Sequence, residues 1–178
     1  MALGSTIYTF DIELADSDRA VYQSLNLRVA QHPSETPDYL LTRVLAYCLE
    51  YAEGIEFSKG LSNPDDPAIS VRDLTGALQV WVDIGLPEPE RLHRASKAAP
   101  RVAVYTHKDP AQWAIKLAAA KVHRAEKLEV FAFDRPWLSR LVARLERRMK
   151  FSLARSEAEI YLTIGDDTSQ TVIARPLS

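Results

Sequence analysis

Cysteine is nearly missing from this sequence: Cys48 is the single one among 178 residues. That excludes a disulfide within the chain and a zinc cluster built on several thiolates. Cys48 falls on the apolar side of a predicted helix, where cysteine acts as a small core residue rather than a nucleophile. Also missing is any apolar run near the ~20 residues that a membrane-crossing helix needs, so no membrane partner is expected. Met1 to Ser5 hold no basic stretch followed by an apolar one, so no signal peptide is expected and cytoplasmic residence is the default. Neither charge dominates, with 22 Lys and Arg against 24 Asp and Glu and a formal net charge of -2. Non-specific coating of nucleic acid draws on phosphate neutralisation, and this balance argues against it while leaving room for a local basic patch. The phosphate-binding patterns GxGxxG and GxxxxGKS/T and the nucleophile elbow GxSxG are absent. His32, His93, His107 and His123 are dispersed and form no zinc-hydrolase pattern.

What is present is ordinary for a globular protein: 26% charged and 47% apolar residues, with no repeat, low-complexity tract or linker. The length fits one domain over 1–178 with a sizeable core. Alternation around Ile7–Leu14 and Leu25–Val29, with Asp16-Ser17-Asp18 between, predicts an N-terminal hairpin. Leu40, Leu41, Val44, Leu45, Cys48 and Leu49 recur at helical spacing. Ser34 or Thr36 supplies the cap and Pro37 suits the first turn. After a short piece at Ile55–Phe57 comes the loop Gly60–Pro67, then strands near 68–74 and 78–84. A helix over 89–99, a strand at Val102–Tyr105, a helix from Asp109-Pro110 to Val122 and a strand over 128–133 follow. Arg135–Arg148 reads as an amphipathic helix. Strands near 150–154, 159–164 and 171–174 close the chain. Strand–helix–strand succession calls for parallel pairing, and terminal hairpins call for antiparallel additions. The expected fold is therefore α/β: one mixed sheet with flanking helices.

Acidic residues gather around the central hairpin. A turn at Thr75-Gly76 makes opposed residue numbers sum to about 151, which sets Asp83 against Ala68 and close to Asp65 and Asp66. Asp83 interrupts an otherwise apolar strand, Val80-Trp81-Val82-Asp83-Ile84. A carboxylate there needs a metal ion or a hydrogen-bonded partner such as an arginine. Asp65 and Asp66 also suit plain turn chemistry. Glu35 stands at the entrance of the first long helix, where the helix dipole favours it. The helix after Asp83 carries Arg91, His93, Arg94 and Lys97.

The blocks His32-Pro33-Ser34-Glu35-Thr36, Gly60-Leu61 through Asp65-Asp66-Pro67, Trp81 through Pro87, Arg91 to Lys97 and Val104-Tyr105-Thr106-His107 resemble the YaeQ family over nearly the whole chain. That family is regarded as a compact variant of the PD-(D/E)XK nuclease fold, with a helix–strand–strand–strand–helix–strand core. The resemblance implies metal ligation by Glu35, by Asp65 or Asp66, and by Asp83, with Mg²⁺ as the cation. It implies Asp83, Asp66 and Lys97 as the catalytic group. Arg28, His32, Ser34, Arg43, Lys59 and Arg94 would contact substrate. One departure is plain: the family pattern acid-x-lysine reads Asp83-Ile84-Gly85 here. Lys97 on the neighbouring helix is the candidate replacement. It carries protons better than Arg94, whose guanidinium stays protonated. The implied activity is Mg²⁺-dependent cleavage of nucleic-acid phosphodiesters. The alternative is a nuclease-fold protein that binds nucleic acid or protein without cutting.

Overall fold

The computed structural model describes residues 4–58 and 65–177. The chain forms two compact units, one from residues 1–41 with 133–173 and the other from 42–132 with 174–178.

The first unit is built on a five-stranded sheet. β1 (Thr6–Asp16) and β2 (Val21–Gln31) form the expected hairpin, in register from Thr6↔Gln31 to Asp16↔Val21. Phe10, Ile12 and Leu14 are buried while Asp11 and Glu13 between them are exposed, as one-sided burial of a strand requires. Asp16 is fully buried at the hairpin's end and accepts from Arg19 Nε at 2.8 Å.

Three further strands complete this sheet, numbered here in chain order. β8 (Arg148–Ser156), β9 (Glu159–Ile164) and β10 (Asp167–Val172) give the order β10-β9-β8-β1-β2. β8 runs parallel to β1, from Thr9↔Arg148 to Asp16↔Arg155. Met149, Phe151 and Leu153 share the buried face, and Phe10 meets Phe151 edge-on at 6.4 Å. Helix α4 (Arg135–Val142) is capped by Asp134, which accepts from Trp137 N. It is tied to β10 by Trp137 Nε1, which donates to Ser169 Oγ at 3.0 Å.

The second unit carries a second five-stranded sheet, β3 (Ile55–Phe57), β4 (Ile69–Arg72), β5 (Leu78–Ile84), β6 (Arg101–Thr106) and β7 (Glu129–Ala132), in chain order. β3, β4 and β5 pair antiparallel, and β5, β6 and β7 pair parallel. The parallel pairs are crossed by helices α2 (Pro89–Ala98) and α3 (Ala111–Ala119), as parallel neighbours demand. Leu92 and Ala95 of α2 and Trp113 and Leu117 of α3 pack with Trp81, Val102, Val104 and Val130. Most of α1 (Pro37–Leu49) also belongs here, with Thr36 Oγ1 accepting from Tyr39 N as its cap. From α1 to β6 the order is helix, three strands, helix, strand.

Four details differ from the sequence-based expectation. Among the described residues there are two mixed sheets in place of one, because the terminal strands, apolar on one face only, pair with each other through β1 and β8. α4 stops at Val142, not Arg148, where the apolar spacing changes from helical to Met149, Phe151, Leu153. α3 stops at Ala119, and Val122 is buried from a turn in which Lys121 and Arg124 take φ of 52° and 53°. The last strand is Asp167–Val172, set back by the tight turn at Gly165.

Candidate functional site

The β4–β5 ladder has the expected register: Ile69↔Val82, Ser70↔Trp81 and Val71↔Val80 each sum to 151. Asp83 lies one step beyond, near the carboxyl end of β5 and 2% exposed. Its neighbours Trp81, Val82 and Ile84 are buried too. The charge is met by Arg91. Nε donates to Asp83 Oδ2 at 2.7 Å and Nη2 to Oδ1 at 3.0 Å, a bidentate fork. Nη2 also donates to the backbone oxygen of Asp66 at 2.7 Å. The guanidinium carbon lies 5.2 Å from the centroid of the Trp81 ring.

Local sequence explains why Arg91 is the partner. Gly85 turns the chain off β5 at φ 90°, its N–H donating to Tyr105 O at 2.8 Å. Pro87 and Pro89 then deliver α2 directly, and Arg91 stands in its first turn. Lys97 is six residues further, about 9 Å along the helix axis, and it and Arg94 are exposed. The same φ disfavours a lysine at position 85. A left-handed conformation suits glycine and strains any residue with a Cβ.

The remaining expected site residues are distributed as follows. Asp65 and Asp66 are exposed at the approach to β4. Lys59 lies outside the described residues. Arg43 is 8% exposed and sits 5.5 Å over the Phe57 ring, a packed cation rather than part of an open rim. Glu35 belongs to the first unit. It precedes α1 instead of entering its first turn, with its N–H donating to His32 O at 2.8 Å. His32 Nδ1 stands 2.7 Å from Ser34 Oγ, so these two are engaged with each other. Arg28 is exposed on β2. Thus Asp83 and the Asp66 backbone are brought together, and the group that joins them is Arg91. In sequence Arg91 looked like one more cation on a basic helix; only the Gly85 turn before it hints at its role.

The chemistry of this donor set does not fit a resident Mg²⁺. Such an ion takes carboxylate oxygens at close range, and both oxygens of Asp83 already accept from a guanidinium. Among the described residues no group of three or more His, Cys, Asp or Glu side chains converges as a metal site. A second polar cluster lies on the other face of the sheet. Glu50, 7% exposed, accepts from Tyr105 Oη at 2.7 Å and from Arg101 Nη2 at 3.0 Å, and Arg101 Nε also reaches Glu129. These carboxylates hold the Arg101 guanidinium firmly protonated against its partial burial. The arrangement is a structural tie among α1, β6 and β7. No helix among the described residues is long and apolar enough to cross a membrane.

The family model described as YaeQ protein matches residues 1–173. A curated relative, "Uncharacterized protein YaeQ" from Escherichia coli (strain K12), is 32% identical over 165 residues, covering 92% of this chain and 91% of the relative. The protein of the same description from Salmonella typhi is 30% identical with the same coverage. The crystal structure of YaeQ protein from Pseudomonas syringae superposes with a TM-score of 0.88 at 29% identity, over 96% of this chain and 95% of that one. That from Xanthomonas axonopodis pv. citri gives 0.86 at 30% identity, over 96% and 97%.

Proposed function

The chain belongs to the YaeQ family, and from that premise we propose that it is a nuclease-like protein that binds nucleic acid without cleaving it. The succession of helix, three strands, helix and strand from α1 to β6 supports a PD-(D/E)XK-like core. So does the buried acid near the end of β5. The observation that carries the non-cleaving part is the bidentate clamp of Arg91 on Asp83. In a metal-dependent nuclease that carboxylate faces a cation and lowers, through it, the pKa of an attacking water. Here a fixed guanidinium occupies both oxygens, and Gly85 supplies no side chain where the family lysine would orient that water. Fold alone does not confer the activity. Binding of phosphates is supported by the exposed Arg94 and Lys97 on α2, which have no ion-pair partner among the described residues.

Fluorescence anisotropy with labelled single-stranded and duplex oligonucleotides, with Mg²⁺ or with chelator, tests this. The expected result is salt-sensitive binding that is indifferent to the metal, with the oligonucleotide recovered intact. Metal-dependent cleavage by the wild type that disappears in Asp83→Ala overturns it.

A further inference from the structure

The outward face of the first sheet carries a group of arginines that the Asp83 region does not involve. Residues 9, 11 and 13 of β1 face out, opposite to Phe10, Ile12 and Leu14. The register sets Thr9 between Arg28 on β2 and Arg148 on β8, three strands abreast. Arg147, one residue earlier, is steadied by Nε donating to Ile7 O at 2.8 Å and by its position 6.0 Å from the Tyr8 ring centroid. Ile7, Thr9, Arg28, Arg147 and Arg148 line an open cavity of about 280 Å³. Arg28 and Arg148 are exposed, with neither carboxylate partner nor hydrogen bond among the described residues. The next acids on this face are otherwise engaged. Asp11, whose register neighbour on β8 is Lys150, accepts from Asn26 Nδ2 at 2.5 Å, and Glu13 accepts from Ser24 Oγ at 2.7 and 2.8 Å.

Gathered guanidiniums repel one another unless an anion joins them. Arginine's planar fork matches phosphate oxygens, and a threonine hydroxyl adds a donor. Further along the same face stands Tyr22, 64% exposed, six residues from Arg28 and so about 20 Å along β2. It borders a second open groove, of about 440 Å³. An exposed aromatic on a sheet whose other end is basic is the combination that single strands use, with bases stacking and phosphates paired to cations.

We infer that the outward face of this sheet is the docking surface for single-stranded nucleic acid. The Arg28–Thr9–Arg148 row with Arg147 holds backbone phosphates, and Tyr22 stacks a base. This deepens the binding function proposed above and rests on it. Phosphate contacts of this kind position a strand without reading its sequence.

Anisotropy titrations with a fluorescein-labelled oligothymidylate test it on the 178-residue chain. The variants are Arg28→Glu/Arg148→Glu, Tyr22→Ala and, as a charge-matched control on the same unit, Arg135→Glu/Arg140→Glu. The first is expected to lose at least tenfold in affinity and to flatten the slope of log K against log salt by about 1.4, from ~0.7 per single-strand phosphate contact. Tyr22→Ala is expected to lose about tenfold, and the control to stay within twofold. Circular dichroism melts matching the wild type exclude misfolding. If the wild type binds and the arginine variant binds equally well, or the control loses as much, the docking surface is wrong and the binding function stands. If the wild type does not bind at all, both fall. Inorganic phosphate that displaces the oligonucleotide at equal phosphate concentration makes a free anion the ligand and overturns the strand assignment.

Discussion

At the scale of single residues, the most consequential pair is Asp83 with Arg91. Asp83 is 2% exposed and Arg91's side chain 24%. Removing the cation leaves a buried carboxylate without counter-charge, whereas removing the acid leaves a cation that can still reach water. Arg91→Ala is therefore expected to cost about 3 kcal/mol in urea unfolding and Asp83→Ala less. The double variant should fall clearly short of the sum, the signature of direct coupling. A working metal site gives the opposite pattern: Arg91→Ala then binds Mg²⁺ more tightly and regains its stability when the ion is added. Cys48 provides a second test at this scale. Full burial pushes its thiol up from 9.0 to about 12. Its folded pKa is raised, so its contribution to stability is complete below 9.0 and is lost as pH rises from there through about 12. The native chain should accordingly resist iodoacetamide at mildly alkaline pH and take up one equivalent after denaturation, as read by mass spectrometry. The buried acid at position 83 was legible in the sequence, because a charge inside an apolar strand demands a partner. The partner's identity was not, since Arg91, Arg94 and Lys97 differ only in where the turn at Gly85 aims them.

At the scale of elements, glycine conformations decide the turns. Gly54 lies at φ 89°, and a Cβ there would run into the backbone carbonyl oxygen of Arg72. That carbonyl belongs to β4, and Arg72 N in turn donates to Gly54 O at 3.2 Å. Gly54→Ala should cost about 3 kcal/mol or more, combining left-handed strain with a backbone clash. Thermal unfolding compared with Gly76→Ala, where a Cβ meets nothing within 4 Å, separates the clash from the strain. Hairpins and crossover helices were readable from periodicity, and the β4–β5 register followed from the turn at Thr75-Gly76. Element ends were less readable. The basic run after Val142 carries few apolar residues to report whether it coils or extends, and the helix yields to β8 by Arg148.

At the scale of the whole molecule, the first sheet joins strands from opposite ends of the chain. β1 is hydrogen-bonded to β2 on one side and to β8 on the other. A chain ending at residue 133 retains all five strands of the second sheet but only the β1–β2 ribbon of the first. A two-stranded ribbon is marginal in water. In that truncation the amides of Thr9, Asp11 and Glu13, which face β8, should lose their protection from hydrogen exchange, measured by mass spectrometry, while β5 and β6 stay slow. The same topology assembles the arginine cradle, since Arg28 and Arg148 come from strands 120 residues apart and meet only across Thr9.

The sequence by itself determined the order of strands and helices but not all their ends, which faces of the strands are apolar, and where a charge would be buried, because these are local consequences of residue spacing and solvation. Its single cysteine also excluded a disulfide within the chain and a zinc site built on several thiolates. Only the tertiary structure decided that the strands divide into two sheets and that Asp83 is clamped by Arg91. Only the tertiary structure gathered three arginines around Thr9. Each of these is a choice among chemically equivalent partners far apart in the chain, and such choices are made by the packing of whole sheets rather than by any stretch of sequence.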